Sequence, residues 1–176
     1  MQKTVLELAA SQVPRPAAIL DIGSGTGRLL QAAEKQYPGA ALVGVDAAVE
    51  MVKQAQSSLP AGSRIEFRVA SAEQLPFPDA QFDLVFSTMT FHHWADQSKG
   101  ITEVRRVLRP GGRWLLADFI ATGAMRFFFL LTRPKRFHER SQIERLVAPA
   151  GMRVLTQERV PRLWGQISAL AIASDI

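Results

Sequence analysis

The sequence predicts an α/β fold, a doubly wound, mostly parallel sheet with helices on both faces. The first observation is a short apolar run over 17–22, of the kind that a buried parallel strand shows. Three glycines follow at alternate positions, Gly23, Gly25 and Gly27, and a helical pattern opens directly behind them. Strand, glycine turn and helix in this order form the first unit of a doubly wound sheet.

Five helices are predicted, from apolar residues at helical spacing and from a stop signal behind them. They cover 3–12, 28–36, 48–58, 97–108 and 140–148. The first ends before Pro14, because a residue that precedes proline is pushed out of helical backbone. The fourth ends at Pro110, and Gly111 and Gly112 are expected to take positive φ in the turn that follows.

Seven strands are predicted from short apolar or alternating runs between turn residues. They cover 17–22, 41–45, 64–69, 82–87, 113–119, 152–157 and 163–173. The run 64–69 alternates polar and apolar residues, as a half-buried strand does. Asp83 interrupts the apolar run of the fourth strand and is expected to be a structural residue at its start. The seventh strand is expected to be antiparallel.

Composition restricts the class of protein. The chain has 176 residues and no cysteine, which rules out a disulfide framework and a cysteine-based metal site. One domain over 1–176 is expected at this length. The first residues lack the apolar run of a signal peptide, and no segment approaches the ~18 apolar residues of a membrane-spanning helix. These features predict a cytoplasmic protein.

The basic residues are concentrated in the second part of the chain. The first 104 residues hold eight Lys and Arg against eleven Asp and Glu, and the remainder holds thirteen against five. Such an excess is compatible with an anionic substrate, a nucleic acid or a membrane surface. Because the basic residues are not interleaved with aromatic ones, we favour a solvated arginine-rich surface and expect no nucleic-acid partner.

The spacing of the glycines discriminates between ligands. A dinucleotide fingerprint reads G-x-G-x-x-G and places a pyrophosphate on the helix N-terminus. Here the third glycine comes one position early, and Arg28 stands where the dinucleotide glycine would fall. Asp21 lies two positions before the first glycine, and an acid there suits a zwitterion better than a pyrophosphate. The alternative is a turn that only shapes the strand–helix corner.

This D-x-G-x-G-x-G arrangement resembles motif I of the class I S-adenosylmethionine-dependent methyltransferases. Four further features resemble the family in the same order: Asp46 after the second strand, and the segments 69–77, 82–85 and 108–112. The resemblance is closest to the ubiquinone- and menaquinone-biosynthesis-like group of small-molecule methyltransferases. It implies a Rossmann-like sheet of order 3-2-1-4-5-7-6 with one antiparallel strand. It also implies S-adenosyl-L-methionine as methyl donor and S-adenosyl-L-homocysteine as product.

The resemblance implies a set of cofactor contacts. The glycine turn would hold the amino-acid end, and Asp46 would accept the ribose hydroxyls, unless it caps the next helix instead. Ser71 stands where the family usually has Asp against the adenine, which implies weaker cofactor affinity. The expected cofactor-binding residues are Asp21, Gly23, Ser24, Gly25, Gly27, Asp46, Ala47, Met51, Ser71, Ala72, Glu73 and Ser87.

Two histidines are candidates for catalysis. His92 and His93 follow the fourth strand, where the resemblance puts the surroundings of the methyl group. An imidazole there could take a proton from the substrate, or the pair could pack beneath the cofactor. The third histidine, His138, is expected to cap a helix or lie at the surface. No metal is expected, because methyl transfer mainly needs alignment of the acceptor with the cofactor.

The expected activity is methyl transfer to a small, apolar or aromatic acceptor. The alternative is a non-catalytic binding or regulatory module that keeps the fold; the glycine spacing argues against a nicotinamide-linked oxidoreductase. The segment 120–140 contains an apolar run, 127–131, between basic residues. It could form a lid over the substrate or rest on a membrane surface, but core or homodimer contact is the interpretation we favour.

Overall fold

The structure, a computed structural model, describes residues 1–120, 139–160 and 167–174. The strands are β1 Ala18–Ile22, β2 Ala41–Asp46, β3 Ile65–Val69, β4 Phe82–Thr88, β5 Leu108–Phe119, β6 Met152–Arg159 and β7 Ile167–Ser174. The helices are α1 Gln2–Gln12, α2 Arg28–Gln36, α3 Val49–Ser57, α4 Gln97–Val107 and α5 Arg140–Val147. Single turns of 3₁₀ helix cover Phe91–His93 and Ala148–Ala150.

The seven strands form one sheet of order β3-β2-β1-β4-β5-β7-β6. The pairs from β3 to β5 are parallel, and β7 runs antiparallel to both β5 and β6. The predicted strand order and the antiparallel seventh strand are therefore confirmed. The direction of winding reverses between β1 and β4, which is where an open sheet of this type leaves a crevice at the carboxyl ends of its strands.

Two clusters of buried apolar side chains lie on opposite faces of the sheet. One joins β1 to α1, α2 and α3, and the other joins it to α4 and α5. Successive residues of β1 divide between them, since Ile19 belongs to the first cluster and Leu20 to the second. All five residues of β1 are buried, and one of them is the carboxylic acid Asp21. A carboxyl in a central strand is costly unless it has a partner or a function.

The turn before β5 differs from the prediction. The strand begins at Leu108, which pairs with Phe82 ahead of an irregularity in the ladder. Gly111 has φ +79°, as predicted, but the expectation of a positive φ is wrong for Gly112. A Cβ on Gly112 would lie 3.1 Å from the carbonyl oxygen of Asp83, so this glycine permits close approach of two backbones.

Asp83 is a structural residue at the start of β4, as predicted. Its carboxylate accepts hydrogen bonds from the backbone N–H groups of Ala17 and Ala18, at 2.8 and 2.9 Å. It also pairs with the guanidinium of Arg109 at 2.9 Å. Burial opposes ionisation of Asp83, but these bonds outweigh it and lower its pKa. The carboxylate thereby joins the beginnings of β1, β4 and β5.

Three predictions concern residues outside the described ones. The proposed lid over 120–140 lies outside them except for its ends, and His138 and the first residues of the predicted last strand, 163–166, also fall there. Among the helices that the structure describes, none is both long enough and apolar enough to cross a membrane.

Gly27→Ala is expected to destabilise the fold more than Gly62→Ala. Both glycines have left-handed backbone, with φ +74° and +81°, so both substitutions carry a backbone cost of roughly 1–2 kcal/mol. A Cβ on Gly27 would overlap the ring of Phe67, whereas no described atom lies within 4 Å of a Cβ on Gly62. The overlap adds roughly 1–3 kcal/mol. Urea unfolding measures the free energy of unfolding that each variant loses. Equal losses for the two variants would contradict the contact between Gly27 and Phe67.

Candidate functional site

A cavity of about 790 Å³ opens at the carboxyl ends of β1, β2 and β4. Its size is that of a pocket for a small-molecule ligand. Four stretches provide most of its lining, residues 21–26, 46–48, 70–73 and 88–90. The turn 93–95 and a few residues of the helices complete it, namely Met1 and Gln2 at the start of α1, Arg28 and Leu29 of α2, and Met51 of α3. The cavity therefore lies at the topological switch between β1 and β4, where the fold predicts a ligand site.

The glycine turn between β1 and α2 is fastened to the end of β2. The N–H groups of Gly23 and Ser24 donate to the carbonyl oxygen of Val45, at 2.8 and 3.0 Å. The N–H of Gly25 donates to Asp46 Oδ2 at 2.9 Å. Gly25 has φ +51°, and no described atom lies within 4 Å of a Cβ built on it. The turn is thus rigidly held and leaves its backbone open towards the cavity.

Asp46 joins the glycine turn to the start of α3. Its Oδ2 accepts from Gly25, and its Oδ1 accepts from the N–H of Ala48 at 2.9 Å. The capping residue of α3 is Ala48, so Asp46 precedes the helix and does not cap it. A carboxylate has about four lone-pair directions, and these two bonds occupy two of them. The half-exposed carboxylate therefore retains capacity to accept hydroxyl groups from a ligand.

Asp21 is the buried acid of the site. It lines the cavity but is only 1% exposed, and its Oδ1 has no hydrogen-bond partner among the described residues. Burial, and secondarily the charge of Asp46, raise the pKa of Asp21 from its ordinary value of 3.8 to about 8. A cationic group such as an ammonium at this position would favour the ionised form of Asp21, which would repel a phosphate. The glycine turn and this acid therefore fit the zwitterionic end of S-adenosylmethionine.

The opposite end of the cavity is formed by the turn Ser71–Gln74, and Glu73 fastens it to the start of α4. The carboxylate of Glu73 accepts from the N–H groups of Ala95 and Asp96, at 2.8 and 3.1 Å. Partial burial opposes ionisation of Glu73, but these bonds and one from Ser71 outweigh it and lower its pKa. Glu73 is thus an ionised acid that is engaged within the protein.

Most of the residues predicted to contact the cofactor line the cavity. They are Asp21, Gly23, Ser24, Gly25, Asp46, Ala47, Met51, Ser71, Ala72 and Glu73. Gly27 and Ser87 do not line it. Gly27 lies against Phe67, where only a glycine fits, and Ser87 is fully buried and accepts a hydrogen bond from Trp114 Nε1 at 3.0 Å.

The two candidate histidines occupy different environments. His93 lines the cavity and is exposed, whereas the side chain of His92 is only 6% exposed. His92 Nδ1 lies 2.7 Å from Oδ1 of Asp118, a residue of β5 that is itself buried. The two imidazole rings are neighbours, with centroids 4.0 Å apart. His93 therefore lies at the cavity wall, whereas His92 lies behind that wall and is paired with the carboxylate of Asp118.

Sequence reasoning did not single out Asp118, or Met89 and Thr90 directly after β4. An acid near the end of an otherwise apolar strand is the signal that could have identified Asp118, as it did Asp21. Met89, at the cavity wall, has φ +58°, an uncommon backbone conformation for a residue with a side chain. The next residue, Thr90, packs directly on Gly23, so the glycine turn also needs its first glycine for contact with the segment that follows β4.

Residues 20–116 match a family model described as a methyltransferase domain. A demethylmenaquinone methyltransferase of Thermus thermophilus is 38% identical over 119 residues, which are 67% of this chain and 53% of that protein. A malonyl-[acyl-carrier protein] O-methyltransferase of Geobacter sulfurreducens is 39% identical over 119 residues, 68% of this chain and 45% of that protein. The chain spans about half the length of the curated relatives it matches.

Solved structures share the fold. The crystal structure of the YcgJ protein from Bacillus subtilis superimposes with a TM-score of 0.78, covering 99% of this chain and 100% of that one. Sequence identity in this comparison is 24%, and at this level the likeness concerns the arrangement of helices and strands alone.

Proposed function

We propose, because this chain belongs to the methyltransferase domain family of class I S-adenosylmethionine-dependent enzymes, that it transfers a methyl group from this cofactor to a small-molecule acceptor. One observation carries the proposal: the buried acid Asp21, the open glycine turn and Asp46 converge on one cavity. The acceptor that we propose is apolar or aromatic. The names of the relatives support a small-molecule acceptor and include both a menaquinone precursor and a malonyl group.

Each part of the cavity has a proposed role in holding the cofactor. Asp21 pairs with its ammonium, the turn at Gly23–Gly25 accommodates its amino-acid end, and Asp46 accepts its ribose hydroxyls. Ser71, Ala72 and Glu73 face its adenine, along with Ala47 and Met51. The bound cofactor supplies an electrophilic methyl group. The chain contributes alignment of the acceptor and exclusion of water, which together account for a large part of such a rate enhancement.

The hydrogen bonds around the cavity support this assignment because they hold the groups in place before a ligand arrives. The N–H groups of Gly25 and Ala48 hold the Asp46 carboxylate. The carbonyl oxygen of Val45 holds Gly23 and Ser24, the two turn residues before Gly25. A site whose polar groups are already oriented loses less conformational entropy on binding. His92 and His93 lie beyond the end of β4 and remain the proposed candidates for proton removal from the acceptor.

Gly25→Ala is expected to weaken S-adenosylhomocysteine binding at least about tenfold, while it destabilises the fold no more than Gly62→Ala does. Both residues have positive φ and no described atom near the added Cβ, but only Gly25 borders the cavity. The new methyl group would occupy space that the ligand needs. Isothermal titration calorimetry with S-adenosylhomocysteine measures the affinity, and urea unfolding measures the stability.

The same titration tests the function itself. Absence of S-adenosylhomocysteine binding by the unmodified protein would reject the proposal. Binding without transfer of a labelled methyl group to any component of a metabolite extract would favour a non-catalytic binding module instead. Equal binding by the Gly25→Ala variant would remove the glycine turn from the site.

A further inference from the structure

Arg28 supplies positive charge to a cavity whose wall is otherwise acidic. Of the described residues that line the cavity, it is the only one with a guanidinium or an ammonium group in its side chain. Three lining residues are acids, Asp21, Asp46 and Glu73. An anionic group of a ligand would therefore be repelled by the wall unless Arg28 compensates for the acids.

The guanidinium of Arg28 is not used to hold the fold together. The residue is exposed, and among the residues that the structure describes none forms a hydrogen bond or an ion pair with its side chain. Arg106, by contrast, donates to Glu103, to Asp79 and to two backbone carbonyl groups. The donors of Arg28 are therefore available to a ligand.

The position of Arg28 in its helix is electrostatically unfavourable. Arg28 is the first residue of α2, directly behind the capping residue Gly27, and the first turn of this helix contains no acid. The N-terminal end of a helix carries a partial positive charge, which repels a cation and attracts an anion. A residue that breaks a local rule without a compensating contact is a candidate for a functional role.

Arg28 also belongs to the end of the cavity that we assign to the amino acid of the cofactor. It comes three positions after Gly25 of the glycine turn and lines the cavity together with it. Ser71–Glu73, which we assign to the adenine, line the opposite end. The amino-acid end has an ammonium, for which Asp21 is the proposed partner, and a carboxylate, which needs a cation of its own.

We propose that Arg28 binds the carboxylate at the amino-acid end of the cofactor. This inference rests on the proposed methyl-transfer function and adds a residue to the site that performs it. A guanidinium presents parallel N–H groups that match the two oxygens of a carboxylate. Asp21 and Arg28 then pair with one charge each of the zwitterion, and the site favours a nucleoside that has both charges over one that lacks either.

The test compares S-adenosylhomocysteine with its decarboxylated analogue, which ends in an aminopropyl group and keeps the ammonium. Arg28→Gln is expected to weaken the binding of S-adenosylhomocysteine at least about tenfold and to change the affinity for the analogue less than about threefold. Arg28→Lys keeps the charge but not the fork of N–H groups, so its affinity for S-adenosylhomocysteine should be intermediate. Isothermal titration calorimetry at pH 8 measures all of these affinities.

The matched control is Arg15→Gln. Arg15 is exposed and, like Arg28, has no bonded partner among the described residues, but it precedes β1 and does not line the cavity. Both substitutions remove one positive charge, so an effect of net charge alone would appear equally in the two variants. We expect Arg15→Gln to bind both ligands as the wild type does.

The desamino analogue of S-adenosylhomocysteine, which ends in a carboxypropyl group, gives the reciprocal result. It keeps the carboxylate and lacks the ammonium, so Arg28→Gln should weaken its binding at least about tenfold. Asp21→Asn should not weaken it, because the proposed partner of Asp21 is missing from this ligand. Loss of affinity for the desamino analogue in Asp21→Asn but not in Arg28→Gln would overturn the assignment of the two charges.

A measurement of stability separates binding from folding. Removal of a cation from the first turn of α2 relieves its repulsion by the helix, so Arg28→Gln should unfold at the same urea concentration as the wild type or at a higher one. A lower urea midpoint together with weaker binding of both S-adenosylhomocysteine and the decarboxylated analogue would make Arg28 a structural residue and overturn the proposal.

The outcomes also separate this proposal from the function on which it rests. Failure of the wild type to bind S-adenosylhomocysteine would reject methyl transfer itself. Binding that Arg28→Gln does not weaken, or equal losses for S-adenosylhomocysteine and its decarboxylated analogue, would overturn the role of Arg28 and leave methyl transfer standing.

Discussion

Asp46→Ala is expected to weaken the binding of S-adenosylhomocysteine by about 10³-fold. Charge-assisted hydrogen bonds contribute roughly 1.5–3 kcal/mol each, and the variant loses the carboxylate that we propose as acceptor of two ribose hydroxyls. It also leaves the N–H groups of Gly25 and Ala48 without their present partner, which loosens the glycine turn. Calorimetric titration at pH 8 measures the loss of affinity.

The control for this prediction is Asp79→Ala, which removes an exposed carboxylate that pairs with Arg106 away from the cavity. It should leave the affinity unchanged within a factor of two or three, as expected for an exposed pair. A loss of less than about tenfold in Asp46→Ala would contradict the role in ribose binding and leave Asp46 as a residue that only shapes the turn.

The affinity for S-adenosylhomocysteine is expected to rise with pH, about tenfold per pH unit below pH 8, and to level off above it. Burial, and then the charge of Asp46, raise the pKa of Asp21 to about 8, so the free protein carries a neutral Asp21 at pH 6. Pairing with the cofactor's ammonium favours the ionised form, and binding at pH 6 therefore releases close to one proton. Calorimetry in buffers of different ionisation enthalpy measures that proton.

The stability of the free protein should change in the opposite direction. The pKa of Asp21 is higher in the folded state than in the unfolded chain, so the folded state holds this proton more tightly. The resulting contribution to the free energy of unfolding is complete below pH 3.8 and is lost as the pH rises to about 8. The slope is ~1.4 kcal/mol per pH unit across this window. Asp21→Asn does not ionise, so this variant is expected to lack the loss and to unfold at higher urea concentration than the wild type at pH 8.

Asp21→Asn should nevertheless bind S-adenosylhomocysteine about 10²-fold more weakly at pH 8, because the amide offers no charge to the ammonium. A general packing defect would not make the Asp21→Asn variant both more stable and weaker in binding. Equal or tighter binding by the variant, or a wild-type affinity independent of pH between 6 and 8, would contradict the role of Asp21.

Local sequence signals sufficed for much of this fold and for most of the residues that line the cavity. Asp21 and Asp46 could be identified because each stands at or near the end of an apolar strand, next to a glycine turn or at the start of a new helix. The spacing of the glycines distinguished the turn from a dinucleotide site. The strand order followed from the resemblance to a family, and the described ladders agree with it.

The features that the sequence did not indicate are contacts between residues distant in the chain. Gly27 is glycine because Phe67, on β3, occupies the space of its Cβ. Ser87 is turned towards Trp114 on the neighbouring strand β5. Asp118 pairs with a histidine 26 positions earlier. The sequence around each of these residues does not indicate which distant residue it contacts.

The bond pattern of Glu73 restricts how this sequence can vary. Its carboxylate recognises the main chain at positions 95 and 96, and the side chains there take no part in the two bonds. For these two bonds alone, proline is the residue that is excluded at either position, because it lacks an N–H group. Position 96 carries a second requirement, since the Asp96 carboxylate caps α4 by accepting from the N–H of Lys99 at 3.0 Å. The acid at 73, by contrast, has to persist for as long as the two segments stay joined.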